Sequence, residues 1–174
     1  MFLLQIAPPS RATVGSYQRI RSSLESIAGR INGAYSDIDW TPIRYVNQGY
    51  PRDMLAGIYR AAKIGLVTPL RDGMNLVAKE YVAAQNPEDP GVLILSRFAG
   101  AASQLTDAVL INPYSAEEMA DAIMLALRMP REERIARWEK MMAVISEQDI
   151  GWWRRTFTDA LMEVPVPPAE PEPE

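Results

Sequence analysis

The chain contains no histidine and no cysteine in its 174 residues. Without cysteine there are no disulfides and no thiol chemistry, and a reducing interior is permitted. Without histidine the commonest general base, the commonest transition-metal ligand and every Ser-His or Cys-His nucleophile are excluded. Any catalysis must rest on carboxylates, Lys, Arg, Tyr or backbone dipoles. An excess of positive charge is also lacking: 18 Lys and Arg stand against 22 Asp and Glu, and with Glu170, Glu172 and Glu174 set aside the body is close to neutral. This balance suggests neither a nucleic-acid footprint nor a polybasic membrane patch. The apolar run FLLQIA ends at Pro8-Pro9 and has no basic leader. It is too short for a signal peptide or a membrane span, and reads as a buried strand.

What is present is enough apolar content, 48%, to bury the core of one ordinary domain. FLLQIA (2–7), PIRYVNQ (42–48), KIGLVTP (63–69), GVLILS (91–96) and DAVLINP (107–113) read as strands. Between them, Val14, Tyr17, Ile20, Leu24, Ile27 and Ile31 recur at helical spacing up to Gly33, where the helix is expected to stop. A helix starts at Pro51 and another is opened by Asp72. Three more follow the last strand, the first with a Ser115–Glu118 capping box and the second starting at Pro130. Such alternation predicts an α/β fold, a mostly parallel Rossmann-like sheet with helices on both faces, over residues 1–163. The segment 164–174, PVPPAEPEPE with its preceding Val, cannot bury apolar area and is expected to be a disordered tail.

Ligands of such sheets sit off the carboxyl ends of the strands, which would place Arg11, Tyr50, Asp72 and Phe98 along one rim. The corner TPLRDGMNLVAKEY (68–81) is the most informative part of it. A helix start with Gly73 exposes backbone amides over Gly73–Leu76 suited to a phosphate, Arg11 and Lys79 are candidate cations, and Glu80 can accept from a sugar's vicinal hydroxyls. The residues alone leave a second reading open. Asp72 would then be a helix N-cap, Gly73 a turn residue and Lys79-Glu80 a solvated helix edge. Likewise Arg11 would be a surface arginine and Tyr50 a packed loop aromatic. Trp138, Trp152 and Trp153 read as packing residues rather than a sugar platform.

Taken together, LLQIAPPSR, GRINGAY with WTPIRYVNQ, GLVTPLRDGMNLVAKEYVAAQ, LSRFAGAASQL and INPYSAEEMADAI resemble the trehalose-6-phosphate synthases, retaining glycosyltransferases of two-domain GT-B architecture. The likeness runs from Phe2 to Leu161. It implies transfer of glucose from UDP-glucose to glucose 6-phosphate, without a metal ion or other cofactor, by a cytoplasmic enzyme. It implies further that Asp72, Gly73, Met74 and Asn75 form the catalytic segment against the donor glucose and its phosphates. Leu76, Val77, Ala78, Lys79 and Glu80 would hold UDP, with Glu80 on the ribose. Tyr50 would lie in the uracil pocket, and Arg11 would face the acceptor phosphate. Gly49-Tyr50 departs from the His-Phe more usual at that place.

Relatives of this kind have a first domain, and a strand with an R-x-D-Y-x-K-G pattern, for which this sequence has no counterpart. The resemblance therefore implies the donor-binding half of the fold without its first strand. It also implies an unpaired sheet edge, little transfer by the isolated chain, and a partner that is either a separate N-terminal half or another copy.

Overall fold

The computed structural model describes residues 1–8 and 15–163; Arg11 and the 164–174 tail lie outside them. Strands and helices alternate as β1 (Leu3–Ile6), α1 (Gly15–Tyr35), β2 (Ile43–Val46), α2 (Arg52–Ala61), β3 (Ile64–Val67), α3 (Leu76–Ala84), β4 (Val92–Ser96) and β5 (Val109–Ile111). A short 3-10 turn, Gly100–Ser103, separates β4 from β5, and the helices α4 (Ala116–Arg128), α5 (Arg131–Glu147) and α6 (Ile150–Met162) follow. Every strand pairing is parallel. The fold is α/β, and the chain divides into two compact units, Met1–Met54 and Leu55–Glu174.

In the first unit β1 pairs with β2, Leu3 opposite Ile43. The side-chain amide of Asn32, in the last turns of α1, donates to the Ile43 carbonyl at 2.9 Å and accepts from its N–H at 3.0 Å. That pair of bonds ties helix to strand, and α1 runs past Gly33 to Tyr35 rather than stopping there, since a glycine inside a helix costs only about 1 kcal/mol. β1 is not the buried strand its run of apolar residues suggests. Among the described residues it has a neighbour on one edge only, so Phe2 and Leu3 remain exposed. The Arg44 guanidinium sits 3.9 Å above the Phe2 ring centroid, covering part of that face.

In the second unit β4 lies between β3 and β5, and all five of its residues are buried. Alternation along β4 sends its side chains to two different cores. Leu93 and Leu95 join Val67, Tyr81, Val82, Leu105 and Met141 beneath α3 and α5. Val92 and Ile94 join Ile111, Ala122, Ala126 and Met129 beneath α4. Helices thus cover both faces of this sheet, each buried aliphatic side chain contributing roughly 1.5–3 kcal/mol. The polar groups that enter are satisfied. Gln85, 3% exposed, donates to the Tyr59 carbonyl and accepts from the Gly91 N–H, and the Trp138 indole donates to the Val82 carbonyl at 2.9 Å. No helix among the described residues is long and apolar enough to cross a membrane.

Candidate functional site

The corner between β3 and α3 is assembled from two separated segments. Asp72 forms an isolated parallel bridge with Ala99. Around it, the Asp72 N–H donates to the Phe98 carbonyl at 3.2 Å, the Gly100 N–H to the Asp72 carbonyl at 3.2 Å, and the Ala101 N–H to the Met74 carbonyl at 2.7 Å. The loop after β4 is therefore the floor on which residues 72–74 rest. Gly100 makes the approach possible: a Cβ there would lie 1.7 Å from the Gly73 carbonyl oxygen, a separation no side chain can occupy.

Gly73 itself is under no such constraint. A Cβ on it would meet nothing within 4 Å, and it does not have a positive φ. The fold supplies no reason for glycine at 73, while an open face there lets a ligand approach the backbone.

Helix α3 opens at Leu76 with Asn75, not Asp72, as its N-cap. Asn75 adopts φ 73° and ψ 86°, and its side-chain oxygen accepts from the Ala78 N–H at 2.9 Å. Its amide nitrogen donates to Asp72 Oδ2 at 2.8 Å. Asp72 is displaced from the cap because its backbone is already engaged with Phe98 and Gly100. The Ser115 cap of α4 forms as expected, accepting from the Glu118 N–H at 3.1 Å; the Glu118 carboxylate does not complete a capping box but pairs with Arg97.

The N–H groups of Gly73, Met74, Asn75 and Leu76 donate to no acceptor among the described residues. At the start of a helix they form a concentration of partial positive charge. On α3 the buried side is Ala78, Tyr81 and Val82, which leaves Leu76, Val77 and Glu80 exposed together. Leu76 and Glu80, four residues apart, share one face about 6 Å apart along the axis. Glu80 has no ion-pair or hydrogen-bond partner among the described residues. Its charge is nevertheless felt nearby: burial first, and the Glu80 carboxylate second, raise the Tyr59 phenol above its ordinary pKa. Lys79 is half-buried and Arg71 exposed at the start of the corner, neither in an ion pair among the described residues.

Of the expected rim, the structure brings together Asp72, Gly73, Met74, Asn75, Leu76, Val77, Lys79, Glu80 and Phe98, with Ala78 turned into the core. Tyr50 is half-buried in the other unit, in the loop after β2, and Arg11 is outside the described residues. Sequence reasoning missed Gly100 and the cap role of Asn75. The FAGAAS segment held the signal for the first, a glycine among alanines directly after a buried strand. Among the described residues no group of three or more acidic side chains is arranged to hold a metal ion.

Comparison with known proteins places this geometry in context. The glycosyltransferase family 20 profile matches residues 1–163. A trehalose-6-phosphate synthase of Sodalis glossinidius is 58% identical over 161 residues, covering 92% of this chain and 34% of its own length. Among solved structures, a UDP-forming alpha,alpha-trehalose-phosphate synthase from Burkholderia xenovorans in complex with glucose-6-phosphate superposes with TM-score 0.90 at 53% identity, covering 92% of this chain and 35% of that one. An E. coli structure bound with UDP-2-fluoro glucose superposes equally well, TM-score 0.90 at 53% identity over 94% of this chain and 36% of that one. The chain thus spans about a third of the length of the curated relatives it matches. The profile match over nearly the whole chain and the shared fold lead to one conclusion: this chain belongs to glycosyltransferase family 20.

Proposed function

We propose that this chain is the donor-binding part of a retaining glucosyltransferase that makes trehalose 6-phosphate from UDP-glucose and glucose 6-phosphate. The observation that carries the reading is the row of four amides, Gly73 to Leu76, that are unengaged among the described residues, on the same corner as Glu80, which has no partner among them either. Backbone donors at a helix start suit a diphosphate, and a carboxylate one turn further suits paired ribose hydroxyls. The likeness to an E. coli structure bound with UDP-2-fluoro glucose supports the donor, and the likeness to the Burkholderia structure in complex with glucose-6-phosphate supports the acceptor.

In this reading the amides and the cation Lys79 balance the charge growing on the departing diphosphate, with no metal ion required. Asp72 to Asn75 border the donor sugar, and Leu76 and Val77 offer apolar surface beside the nucleoside. The family likeness, rather than the described geometry, assigns Tyr50 to the uracil and Arg11 to the acceptor phosphate. Transfer also needs an acceptor wall and exclusion of water. With about a third of its relatives' length, this polypeptide binds donor but by itself transfers glucose negligibly. A complementary N-terminal half, or a second copy, would complete it.

Calorimetric titration with UDP tests the reading. The wild-type chain should bind, and Glu80→Ala should bind at least tenfold more weakly, since a hydrogen bond to a charged group is worth about 1.5–3 kcal/mol. At a hundredfold excess over Kd, UDP should add about 2.7 kcal/mol of stability. No heat at millimolar UDP would end the donor-site reading.

A second reading is favoured by α6. Ile150, Trp153, Phe157 and Leu161 form an exposed apolar stripe, with the Trp153 and Phe157 rings stacked at 5.2 Å. Such a face suits a non-catalytic, UDP-sugar-binding or oligomeric module. UDP release on mixing with a complementary half separates the two: it supports the transferase, and a stable self-associated species that remains inactive supports the module.

A further inference from the structure

Asp72 is held more completely than any other exposed carboxylate of the corner. Its N–H and carbonyl are fixed by Phe98 and Gly100, and one carboxylate oxygen, Oδ2, receives the Asn75 side-chain N–H. Oδ1 has no partner among the described residues. The orientation of the Asn75 amide is dictated by its neighbours. The Ala78 N–H requires an oxygen and the Asp72 carboxylate requires a donor, so the reverse orientation would oppose like groups at both ends. Asn75 is also the one non-glycine residue with positive φ among those described. Asn accepts that backbone region better than most residues, and from there its short side chain spans both partners.

Resting on the donor-site reading above, we propose that Asn75 is a positioning residue. It aims Asp72 so that Oδ1 accepts a hydroxyl of the donor sugar, and thereby sets the preference for nucleotide sugar over bare nucleotide. The chemistry divides the corner in two. Amide donors suit the anionic diphosphate, which a carboxylate would repel, whereas a sugar hydroxyl can donate to the carboxylate and strengthen on a charged acceptor. Asn75 links the halves: its oxygen fixes the amide end of α3, and its nitrogen fixes the acceptor.

The test is a double-mutant cycle on the full 174-residue chain, reading the ratio of UDP-glucose to UDP affinity by calorimetry. Asp72→Ala should lower that ratio about tenfold. Asn75→Gly, which retains access to positive φ, should lower it by a similar factor. The double variant should fall no further than Asp72→Ala alone, because Asn75 acts through Asp72. Damage to the helix start weakens both ligands alike and leaves the ratio in place, so a purely structural role gives a different result. Asn75→Ser, which keeps an oxygen for the Ala78 amide but is too short to reach Asp72, substitutes if the glycine variant fails to fold. The proposal is overturned if Asn75→Gly or Asn75→Ser keeps the wild-type ratio, if Asp72→Ala leaves it unchanged, or if the two losses multiply. Wild-type chain that binds UDP with an unmoved ratio in the variants removes the Asn75 role alone. Wild-type chain that binds neither ligand removes the donor-site reading together with it.

Discussion

Gly100→Ala should abolish measurable UDP binding and lower the melting temperature by about 10 °C. The new Cβ would lie 1.7 Å from the Gly73 carbonyl oxygen, 2.8 Å from its carbon and 3.3 Å from Met74 Cα. All three obstacles are backbone, so no rotamer change relieves the contact, and the segments must separate. Separation breaks the bonds that Asp72 and Met74 make with Phe98, Gly100 and Ala101. Overpacking alone costs about 1–3 kcal/mol, and each lost backbone bond adds roughly 0.5–1.5 kcal/mol. With about 2–4 °C per kcal/mol for a chain of this size, a loss near 3 kcal/mol gives the stated shift. The control is Gly73→Ala. Nothing lies within 4 Å of its added methyl, so the melting temperature should hold within about 2 °C while UDP affinity falls about tenfold. Retained UDP affinity in Gly100→Ala would mean that the loop after β4 does not shape the corner.

The largest loss of stability should come from Gly91→Ala, more than about 4 kcal/mol by urea denaturation, a size reached only when a core is forced apart. A Cβ at 91 would lie 2.1 Å from the Tyr81 hydroxyl oxygen, 2.7 Å from the Ala62 carbonyl and 2.8 Å from that of Lys63. Tyr81 cannot retreat. It is 2% exposed, its ring also presses on Gly65, and its hydroxyl donates to the Ala62 carbonyl at 3.0 Å. Tyr81→Phe alone should cost about 1 kcal/mol for the lost bond. Combined with Gly91→Ala it should recover part of the damage and no more, because two carbonyls still obstruct. A Gly91→Ala variant within 1 kcal/mol of wild type would contradict this packing. Burial raises the Tyr81 phenol far above its ordinary pKa. The neutral form is the folded one, so its contribution is whole below pH 10, the unfolded value, and declines above it; Tyr81→Phe should flatten that alkaline decline.

The β3–α3 corner was legible because Pro69, Gly73 and an apolar helix follow one another in the order that marks a strand turning into a helix. Which residue caps the helix was not. Asp72 and Asn75 are equally good capping types, and the choice falls to Asn75 only because the distant segment 98–101 claims the Asp72 backbone. The same tertiary contact exchanges the roles of the glycines. Gly73 looks indispensable from its neighbours, yet Gly100 is the one that sterics require. At β1 the continuous apolar run suggests burial, but burial depends on how many neighbours a strand has. At Gly33 the stop signal yields to the two bonds joining Asn32 and Ile43. Fold class, order of elements and the strand-to-helix corner could be read from local pattern and family likeness, whereas close approaches between separated segments could not.

The hydrogen bond from Trp138 to the Val82 carbonyl joins residues 56 apart in sequence, and the cluster it covers also needs Met141 and leans on Ile145. During synthesis, β4 therefore leaves the ribosome with its α3-side face only half covered until roughly fifty more residues, those that complete α5, have emerged, about 2–10 s at usual elongation rates. For that interval an aliphatic strand waits for its cover, and a nascent chain paused before α5 would be a natural client for a chaperone.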